Sequence, residues 1–322
     1  MEPAIKGLPN QFVWEPVVEN AGNLEAKPPL GGLASKFIVC GMGGSHLAAG
    51  FLKIANPKLD LLIHRDYGLP RVPDYFLKDS LIIASSYSGN TAETIDAFKS
   101  AHDASLKTAV ITTGGILLDL AKSSQTSYIQ LPTSNLPPRL ALGHSIKAMA
   151  KLVGDQTTLN ELAKLCDFLH PDQWQEAGKN LSEKLSGRIP IIYSSTINLP
   201  LAYFWKIQFN ETGKVSAFYN VLPELNHNEL QSFDQTSDTF HFIFLHDEAD
   251  DHRIHQRMSI TADLLSARGW PVTVLKVAGD GVWEKIFNNV LLAAWTAYYT
   301  ALKNNHDPEA VPLIEEFKKL IV

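Results

Sequence analysis

Short, continuously apolar runs alternate along the chain with longer segments whose apolar residues recur at helical spacing. The apolar runs predict strands over Lys36–Cys40, Leu59–His64, Ser80–Ser85, Thr108–Thr112, Ser127–Leu131, Arg188–Ser194, Thr239–Leu245 and Val272–Lys276. The helical spacing predicts helices over Ser45–Ala55, Ala92–Ala101, Ile116–Lys122, His144–Val153, Leu159–Leu169, Leu199–Asn210, Arg253–Arg268 and Trp283–Lys303. Apolar strands that alternate with helices are typical of a parallel sheet covered by helices on both faces.

The two halves of the chain share one plan, in which strand, helix, strand and helix follow each other. This repetition predicts an α/β protein with two similar three-layer αβα domains, residues 1–154 and 155–322. Residues 1–34 are rich in Pro, Gly and Asn and are expected to form an irregular arm. The segment Pro312–Val322 predicts a short amphipathic helix that ends the chain.

Charge and composition exclude some classes of function. The formal net charge is -6 and the sequence pI is about 6.0, which gives no electrostatic footprint for nucleic acid. A local cluster of hydrogen-bond donors can still bind an anionic substrate. No apolar run reaches the ~18 residues of a membrane helix, and the first residues lack the basic and apolar regions of a signal peptide. We therefore expect a cytoplasmic protein with neither nucleic acid nor membrane as a partner.

The two cysteines, Cys40 and Cys166, do not form a CxxC pair, and no His/Cys cluster has the spacing of zinc ligands. We expect both to be small buried residues in a reducing compartment.

The first candidate site, Gly41-Met42-Gly43-Gly44-Ser45, directly follows a predicted strand. Its glycines would let the backbone approach a ligand, and the helix N-terminus after it would favour an anion. A dinucleotide site would need a third glycine that is absent, although Asp66 keeps an NAD site open. A tight turn that binds nothing explains the glycines equally well.

The second candidate site, Ser85-Ser86-Tyr87-Ser88-Gly89-Asn90-Thr91, follows another predicted strand. Hydroxyl and backbone N–H groups at a helix N-terminus suit a phosphate, and ligands of parallel sheets bind beyond the carboxyl ends of the strands. Alternatively, Ser88 or Thr91 simply caps the next helix. The density of hydroxyl groups exceeds what one cap requires.

The third candidate site gathers carboxylates, amides and a histidine in Asn210-Glu211 and in Pro223–Glu229. A partly desolvated carboxylate can move a proton between adjacent carbons, and a histidine can exchange protons near neutral pH. The alternatives are a hydrogen-bonded structural role for His227 and a solvated helix end for Glu211, with Gly213 as its C-cap.

Together these segments resemble the bifunctional phosphoglucose/phosphomannose isomerases of the sugar isomerase (SIS) domain superfamily. The resemblance covers nearly the whole chain and rests on GMGGS, SYSGNT, the helix-end NE and PELNHNE. It implies two SIS-type, flavodoxin-like domains. The N-terminal domain would carry the phosphosugar-binding loops, and the C-terminal domain would carry the acid and base groups and the terminal helix.

The resemblance also implies roles for individual residues. Arg139 matches an arginine near the reacting carbons, Glu211 the catalytic base, His227 the ring-opening histidine and Lys318 a lysine that assists ring opening. The neighbouring Lys319 is an alternative for the lysine. The positions that match those binding the substrate phosphate and nearby hydroxyls are Gly43, Gly44, Ser45, Ser86, Ser88 and Thr91.

The activity implied by the resemblance is the interconversion of glucose 6-phosphate and fructose 6-phosphate through a cis-enediolate, with a role in glycolysis or gluconeogenesis. No metal or redox cofactor is implied. The partners implied are the phosphorylated hexose and a second copy of the chain, whose His227 would reach across the interface of a homodimer.

The sequence departs from the family at Asp307–Leu313, which lacks a threonine associated with room for both C2 epimers. Use of mannose 6-phosphate is therefore left open. The departure Thr212-Gly213, where relatives often have Asn-Ala, allows a different local geometry. A non-catalytic sugar-phosphate-binding regulatory protein on the same fold is the alternative function, although the retention of Glu211 and His227 argues against it.

Overall fold

The structure is a computed structural model that describes residues 1–22, 36–133, 136–235 and 239–321. The chain forms two compact units. The first unit is Gly7–Phe168, and the second unit is Met1–Lys6 together with Leu169–Val322. The first unit thus includes a helix that the sequence-based division assigns to the C-terminal domain. The division at residue 154 stays a prediction.

The strands and helices follow each other in alternation over most of the chain. The strands are β1 (Lys36–Cys40), β2 (Leu61–His64), β3 (Ser80–Ser85), β4 (Thr108–Thr112), β5 (Ser127–Gln130), β6 (Ile189–Ser195), β7 (Phe218–Leu222), β8 (Phe240–His246) and β9 (Val272–Lys276). The helices are α1 (Glu2–Lys6), α2 (Leu47–Ala55), α3 (Asp74–Asp79), α4 (Ala92–Asp103), α5 (Gly115–Ser123), α6 (Leu142–Val153), α7 (Gln156–Phe168), α8 (Gln175–Lys184), α9 (Leu199–Ile207), α10 (His252–Ala267), α11 (Val282–Lys303) and α12 (Pro312–Leu320).

The sheet of the first unit has the strand order β2-β1-β3-β4-β5, and all its neighbouring strands are parallel. This is the flavodoxin-like order, in which the chain reverses direction across the sheet between β1 and β3. Alternate strand residues such as Ile38, Ile82 and Val110 are fully buried under α4 and α5. Burial on both faces explains why these strands are continuously apolar in the sequence.

The sheet of the second unit has the order β7-β6-β8-β9, again parallel throughout. One face packs an aromatic cluster that includes Tyr193, Phe242, Phe244 and Trp270 against α10. Helices α8, α9 and α11 also pack together in this unit. The two sheets therefore share the same strand plan, and the predicted α/β class with two parallel sheets is confirmed.

Several predicted elements need correction. The N-terminal residues are not an irregular arm up to residue 22, because α1 and a 3₁₀ turn over Leu8–Phe12 form there. Their order follows from burial of Ile5, Leu8 and Phe12, which are fully inaccessible to solvent. The rest of the predicted arm, residues 23–34, lies outside the described residues.

Besides α1, the sequence patterns missed α3, α8 and β7. Strand β7 has the sequence FYNVL. Its first residue is exposed, the next three are only partly buried, and the polar Asn220 interrupts the apolar run. The helix α8 carries only three buried residues among ten, which weakens its periodicity.

The cysteines differ in their surroundings. Cys40 is buried in β1, and burial raises the pKa of its thiol to about 12. Cys166 is only half-buried, so the expectation that both cysteines are buried is wrong for that residue. In the part of the chain that the structure describes, no helix has the length and apolar character needed to cross a membrane.

Candidate active site

Two candidate loops lie at the same edge of the first sheet, because they follow the neighbouring parallel strands β1 and β3. We call Gly41–Ser45 the glycine turn and Ser86–Thr91 the serine turn. Direct hydrogen bonds join them: Ser85 Oγ donates to the Ser45 carbonyl oxygen at 2.9 Å, and the Tyr87 N–H donates to Ser45 Oγ at 3.1 Å. The structure therefore brings the two predicted sites of this unit together.

The glycines of the first turn are needed for close backbone approach. A Cβ at Gly41 would lie 2.7 Å from the Ser85 carbonyl oxygen, and one at Gly44 would lie 3.2 Å from Arg139 Cα. Gly43 adopts a positive φ of 53°, which favours glycine. The turn is therefore fitted to its neighbours, and it places Gly44 against the segment that carries Arg139.

Hydroxyl groups of the serine turn bond to each other and to backbone N–H groups. Ser86 Oγ lies 2.8 Å from Thr91 Oγ1 and accepts from the Gly89 N–H at 3.1 Å. Ser88 Oγ accepts from the Asn90 N–H at 3.2 Å. Thr91 is the N-cap residue of α4, yet its side chain makes no capping hydrogen bond. Helix capping therefore does not explain this cluster of hydroxyls.

A third loop, Thr112–Gly115, supports the serine turn and was not singled out by the sequence analysis. A Cβ at Gly89 would lie 1.8 Å from the Gly114 carbonyl oxygen, so the two loops pack backbone to backbone. Thr113 Oγ1 donates to the Tyr87 carbonyl oxygen at 2.6 Å, and the Ile116 N–H donates to Asn90 Oδ1 at 3.1 Å. The sequence signal was the pair of threonines and the pair of glycines that follow the β4 strand.

The buried residues beside these turns set their electrostatics. Arg139 lies in a short 3₁₀ turn, Pro138–Leu140, and is 2% exposed. Burial, helped by the nearby positive charge of Arg65, lowers the pKa of His46 to about 4, so this histidine is neutral at pH 7. The turns themselves carry only neutral side chains. They can bind an oxyanion through hydroxyl and backbone N–H groups, as helix N-termini commonly do.

Glu211 lies in the second unit, in a π-turn over Gln208–Thr212 that continues α9. Glu211 is half-buried. Gly213 has a φ of −70°, so it is not a left-handed helix cap; a Cβ there would lie 2.9 Å from the Phe209 carbonyl oxygen. The left-handed residue is Lys214, with a φ of 56°. A π-turn is a frequent feature of functional sites in helices.

The Lys214 side chain connects this turn to the C-terminal segment. Its Nζ donates to the carbonyl oxygen of Glu211 and to that of Ala310, which precedes α12. The connection is local to the second unit. It ties the backbone of Glu211 to the segment that leads to Lys318.

His227 follows β7 in a 3₁₀ turn over Glu224–His227 and is exposed. Its side chain borders a cavity of about 260 Å³. Asn226, Asn228, Gln231 and Arg268 also line this cavity. The ring is therefore open to an incoming group rather than locked inside the core, which argues against the purely structural role.

Glu229 anchors the segment that carries His227. Its carboxylate accepts from the Tyr193 hydroxyl at 2.6 Å and from the Asn220 amide. Burial and the bond to this carboxylate raise the pKa of Tyr193. Asn228 Oδ1 accepts from the Glu229 N–H at 2.6 Å. These bonds fix the loop to β6 and β7, a role that the motif alone did not reveal.

Glu211 and His227 lie near opposite ends of β7, since Glu211 precedes this strand and His227 follows it. Five strand residues span about 13 Å. The path of the chain through β7 therefore separates the two residues within this unit.

Lys318 lies on the exposed helix α12, where its Nζ bonds to Glu315 Oε1 at 2.8 Å. The side chain is 61% exposed. The assignment of Lys318 or Lys319 to the site stays a prediction. Among the described ranges, no group of three His, Cys, Asp or Glu side chains is placed to hold a metal ion.

In its amino-acid sequence the chain is similar to proteins named as phosphoglucose or phosphomannose isomerases, in agreement with the motifs described above. Residues 174–321 match the family described as the bacterial phospho-glucose isomerase C-terminal SIS domain. A bifunctional phosphoglucose/phosphomannose isomerase of Aquifex aeolicus is 30% identical over 98% of this chain and 96% of its own length. The protein of the same name from Caldicellulosiruptor bescii is 34% identical over 88% of each chain.

A solved structure supports the same fold. A hypothetical protein from Thermus thermophilus superposes with a TM-score of 0.69 at 16% sequence identity. The match covers 99% of this chain and 89% of that protein.

Proposed function

Because the chain belongs to the family of bifunctional phosphoglucose/phosphomannose isomerases, we propose that it is an isomerase of hexose 6-phosphates. The reaction interconverts glucose 6-phosphate, mannose 6-phosphate and fructose 6-phosphate. The observation that carries this conclusion is the match to two enzymes of that name, over 98% and 88% of this chain. The retained GMGGS, SYSGNT and PELNHNE motifs agree with it.

The substrate phosphate binds to the glycine and serine turns. Gly43, Gly44 and Ser45 contribute backbone and hydroxyl groups from the first turn, and Ser86, Ser88 and Thr91 contribute from the second. Support comes from the direct hydrogen bonds between the turns and from hydroxyls that are not used as helix caps. Binding energy at the phosphate orients the reacting carbons.

Ring opening is the first chemical step. His227, assisted by Lys318, moves a proton between the ring oxygen and the C1 hydroxyl. Support comes from the exposed position of His227 at a cavity and from its match to the family histidine. An imidazole suits this exchange because its ordinary pKa lies near neutrality.

Proton transfer between carbons is the second step. Glu211 takes the C2 proton of the aldose, which leaves a cis-enediolate, and returns the proton to C1 of the ketose. Arg139 offsets the negative charge that develops on the enediolate oxygens. The half-buried position of Glu211 in a π-turn and the burial of Arg139 beside the glycine turn support these roles.

Both C2 epimers are substrates in this proposal. Proton return to either face of C2 yields glucose 6-phosphate or mannose 6-phosphate. The names of the two relatives support the second activity.

The working assembly is a homodimer in which His227 of one copy serves the site of the other. The opposite positions of Glu211 and His227 along β7 support this arrangement. In a symmetric dimer, His227 of one copy can serve the Glu211 site of the other copy, although the two residues are separated within each chain. We also expect the enzyme to act in the cytoplasm, in glycolysis or gluconeogenesis.

Replacement of Glu211 by Gln tests the base. The amide keeps the size of the side chain but cannot take a proton, so kcat should fall about 10²- to 10⁴-fold. Glu176→Gln, at an exposed position of α8, is the matched control and should keep wild-type turnover. Turnover is measured by coupling product formation to a dehydrogenase. A Glu211→Gln variant with wild-type kcat would remove Glu211 from its role.

Mixing two inactive variants tests the shared site. Glu211→Gln and His227→Ala subunits, unfolded and refolded together, would form mixed dimers with one intact site each. About a quarter of wild-type turnover should return in an equal mixture. If the mixture gives no more than the sum of the two variants, His227 acts within its own chain.

The alternative, a non-catalytic sugar-phosphate-binding regulator, predicts heat on titration with glucose 6-phosphate but no product. A calorimetric titration beside the coupled assay therefore separates the two functions.

A further inference from the structure

The segment 223–233, which we call the histidine loop, carries an exposed imidazole between two buried side chains. His227 is exposed, whereas Leu225 is fully buried and Phe233 is 7% exposed. Both of these side chains belong to the aromatic cluster of the second unit. Packing in that cluster does not hold an exposed ring, so the position of the imidazole depends on how the backbone around it is fixed.

Two polar anchors flank His227 directly. On one side, Asn226 Nδ2 donates to Thr261 Oγ1 of α10 at 2.8 Å. On the other side, Glu229 begins the next 3₁₀ turn, and its N–H donates to Asn228 Oδ1 at 2.6 Å. The imidazole is therefore carried by a backbone that is held one residue before it and two residues after it.

The carboxylate of Glu229 bridges two neighbouring strands. Its Oε1 accepts from the Tyr193 hydroxyl at 2.6 Å, and its Oε2 accepts from the Asn220 amide. Tyr193 and Asn220 are paired in register across β6 and β7, so their side chains leave the same face of the sheet. Asn220 Oδ1 accepts from the Val221 N–H at 2.8 Å, which turns the amide nitrogen towards the carboxylate. Hydrogen bonds to a charged acceptor are stronger than neutral ones, so this bridge is the firmer anchor of the loop.

Tyr193 is itself fixed by the core beneath the histidine loop. It is 1% exposed, and its ring centroid lies 5.6 Å from that of Phe242 and 5.4 Å from that of Phe244. Burial, together with the bond to Glu229, raises the pKa of Tyr193, so the hydroxyl keeps its proton and acts as a donor at neutral pH. A phenol held this rigidly sets the position of the carboxylate.

Packing alone does not require the hydroxyl of Tyr193. A phenylalanine would fill the same aromatic space without a buried polar group that has to be paired. The hydroxyl adds a donor for Glu229, and Glu229 in turn fixes the backbone that carries His227.

We propose that Tyr193 and Glu229 are positioning residues for ring opening, and that they hold the His227 imidazole where it exchanges protons with the sugar. This inference rests on the proposed function of His227. Neither residue touches the substrate, because Tyr193 acts on Glu229 and Glu229 acts on the loop backbone. Loss of either one should slow ring opening and leave proton transfer at Glu211 in place.

Two substrates separate ring opening from proton transfer. Fructose 6-phosphate is a ring that must open, whereas 5-deoxyfructose 6-phosphate lacks the C5 hydroxyl that closes this ring. Exchange of a C1 proton in D₂O, followed by NMR, reports proton transfer for both compounds. Tyr193→Phe should lower kcat for fructose 6-phosphate about tenfold or more, with KM changed less, since a misplacement of about 1 Å can cost about 10²-fold. Exchange of 5-deoxyfructose 6-phosphate should stay near the wild-type rate.

Tyr298→Phe is the matched control. It also separates a tyrosine hydroxyl from a glutamate, because the Tyr298 hydroxyl donates to Glu2 Oε2 at 3.4 Å outside the histidine loop. Both substrates should keep their wild-type rates in this variant. Glu229→Gln retains an acceptor for Tyr193 and should lose less turnover of fructose 6-phosphate than Glu229→Ala. Its selective effect on that substrate carries the test if Tyr193→Phe does not fold.

A double variant tests whether Tyr193 acts through Glu229. Residues of one hydrogen-bond network have effects that do not add. Tyr193→Phe/Glu229→Ala should therefore lose no more turnover of fructose 6-phosphate than Glu229→Ala alone. Losses that multiply in the double variant would mean that the two residues act separately, which contradicts the proposal.

The two substrates also decide the proposal as a whole. It is overturned if Tyr193→Phe slows both substrates equally, as a general loss of structure would, or if it slows neither. His227→Ala keeps this failure distinct from a failure of the proposed function, because it should slow fructose 6-phosphate selectively. Equal slowing of both substrates by His227→Ala would remove the ring-opening role itself.

Discussion

At the scale of single residues, the motifs identified from the sequence lie where parallel strands end. The hydroxyls of Ser86, Ser88 and Thr91 were predictable because a run this dense exceeds the needs of one helix cap. Their partners were not predictable, since Thr91 Oγ1 bonds to Ser86 rather than to its own helix. The anchoring of Glu229 by Tyr193 was equally hidden, because 36 residues separate the two in the chain.

Removal of the Ser86 hydroxyl tests the serine turn. This hydroxyl is fully buried and accepts from the Gly89 N–H, so its loss disturbs both the turn and the phosphate bound there. A hydrogen bond to a charged group contributes about 1.5–3 kcal/mol, so Ser86→Ala should lower kcat/KM roughly 10- to 100-fold. Ser100→Ala on α4 is the control and should retain wild-type kcat/KM. Unchanged kinetics in Ser86→Ala would exclude the turn from phosphate binding.

At the scale of elements, strands β1, β3, β4 and β9 begin and end where the apolar runs predict them. For β1, β3 and β4 the agreement has a physical cause, since a strand buried on both faces needs a continuous apolar run. Strand β7 escaped prediction because its Tyr219, Asn220 and Val221 are only partly buried. The helix predicted over Leu199–Asn210 instead changes to a π-turn at Gln208. The spacing of apolar residues indicates which face of a helix is buried. It does not indicate where the backbone hydrogen bonds change from the α-helical to the π-helical pattern.

Lys214 tests the importance of that π-turn. Lys214→Met removes the bonds to the carbonyl oxygens of Glu211 and Ala310 while keeping the length of the side chain. The turn loses its link to the C-terminal segment, so kcat should fall about tenfold or more, with KM changed less. Lys214→Arg retains donors and should restore most of the turnover. Equal loss of kcat in both variants would mean that the lysine acts in some other way.

At the scale of the whole molecule, the sequence plan of two repeated α/β halves is matched by two parallel sheets with corresponding strand orders. The first sheet ends in loops of glycine and hydroxyl residues. The corresponding loops of the second sheet, after β6 and β8, carry Ser195, Asn198, Asp247 and Asp250 instead. Lys285 Nζ lies 2.9 Å from Asp247 Oδ1 and supplies the balancing charge. Repeated architecture therefore does not predict a repeated phosphate site.

Buried histidines predict how stability depends on pH. Burial lowers the pKa values of His46, His144 and His241 to about 4 in the folded protein. Unfolded histidines titrate near 6.5, so the unfolded state binds more protons between about pH 6.5 and pH 4. Stability is therefore fully present above pH 6.5 and is lost as the pH falls through this window.

Urea unfolding at pH 7.5 and pH 5 measures this loss, and the midpoint should be lower at pH 5. Replacement of His144 by Phe keeps an aromatic ring beside Trp14 and removes one titrating group, so it should reduce the difference. The same replacement at the exposed His306 should leave the difference unchanged. If the urea midpoint is no lower at pH 5 than at pH 7.5, the result would contradict the conclusion that these histidines are buried in the neutral form.

The most direct test of the central claim is a proton-transfer experiment with fructose 6-phosphate in D₂O, followed by NMR. The proposal predicts formation of both glucose 6-phosphate and mannose 6-phosphate, with deuterium accumulating at C2. It also predicts that Glu211→Gln forms neither product at a comparable rate. Product without deuterium at C2 after long incubation, or no aldose at all from the folded wild-type protein, would contradict an enediolate isomerase that uses Glu211 as its base.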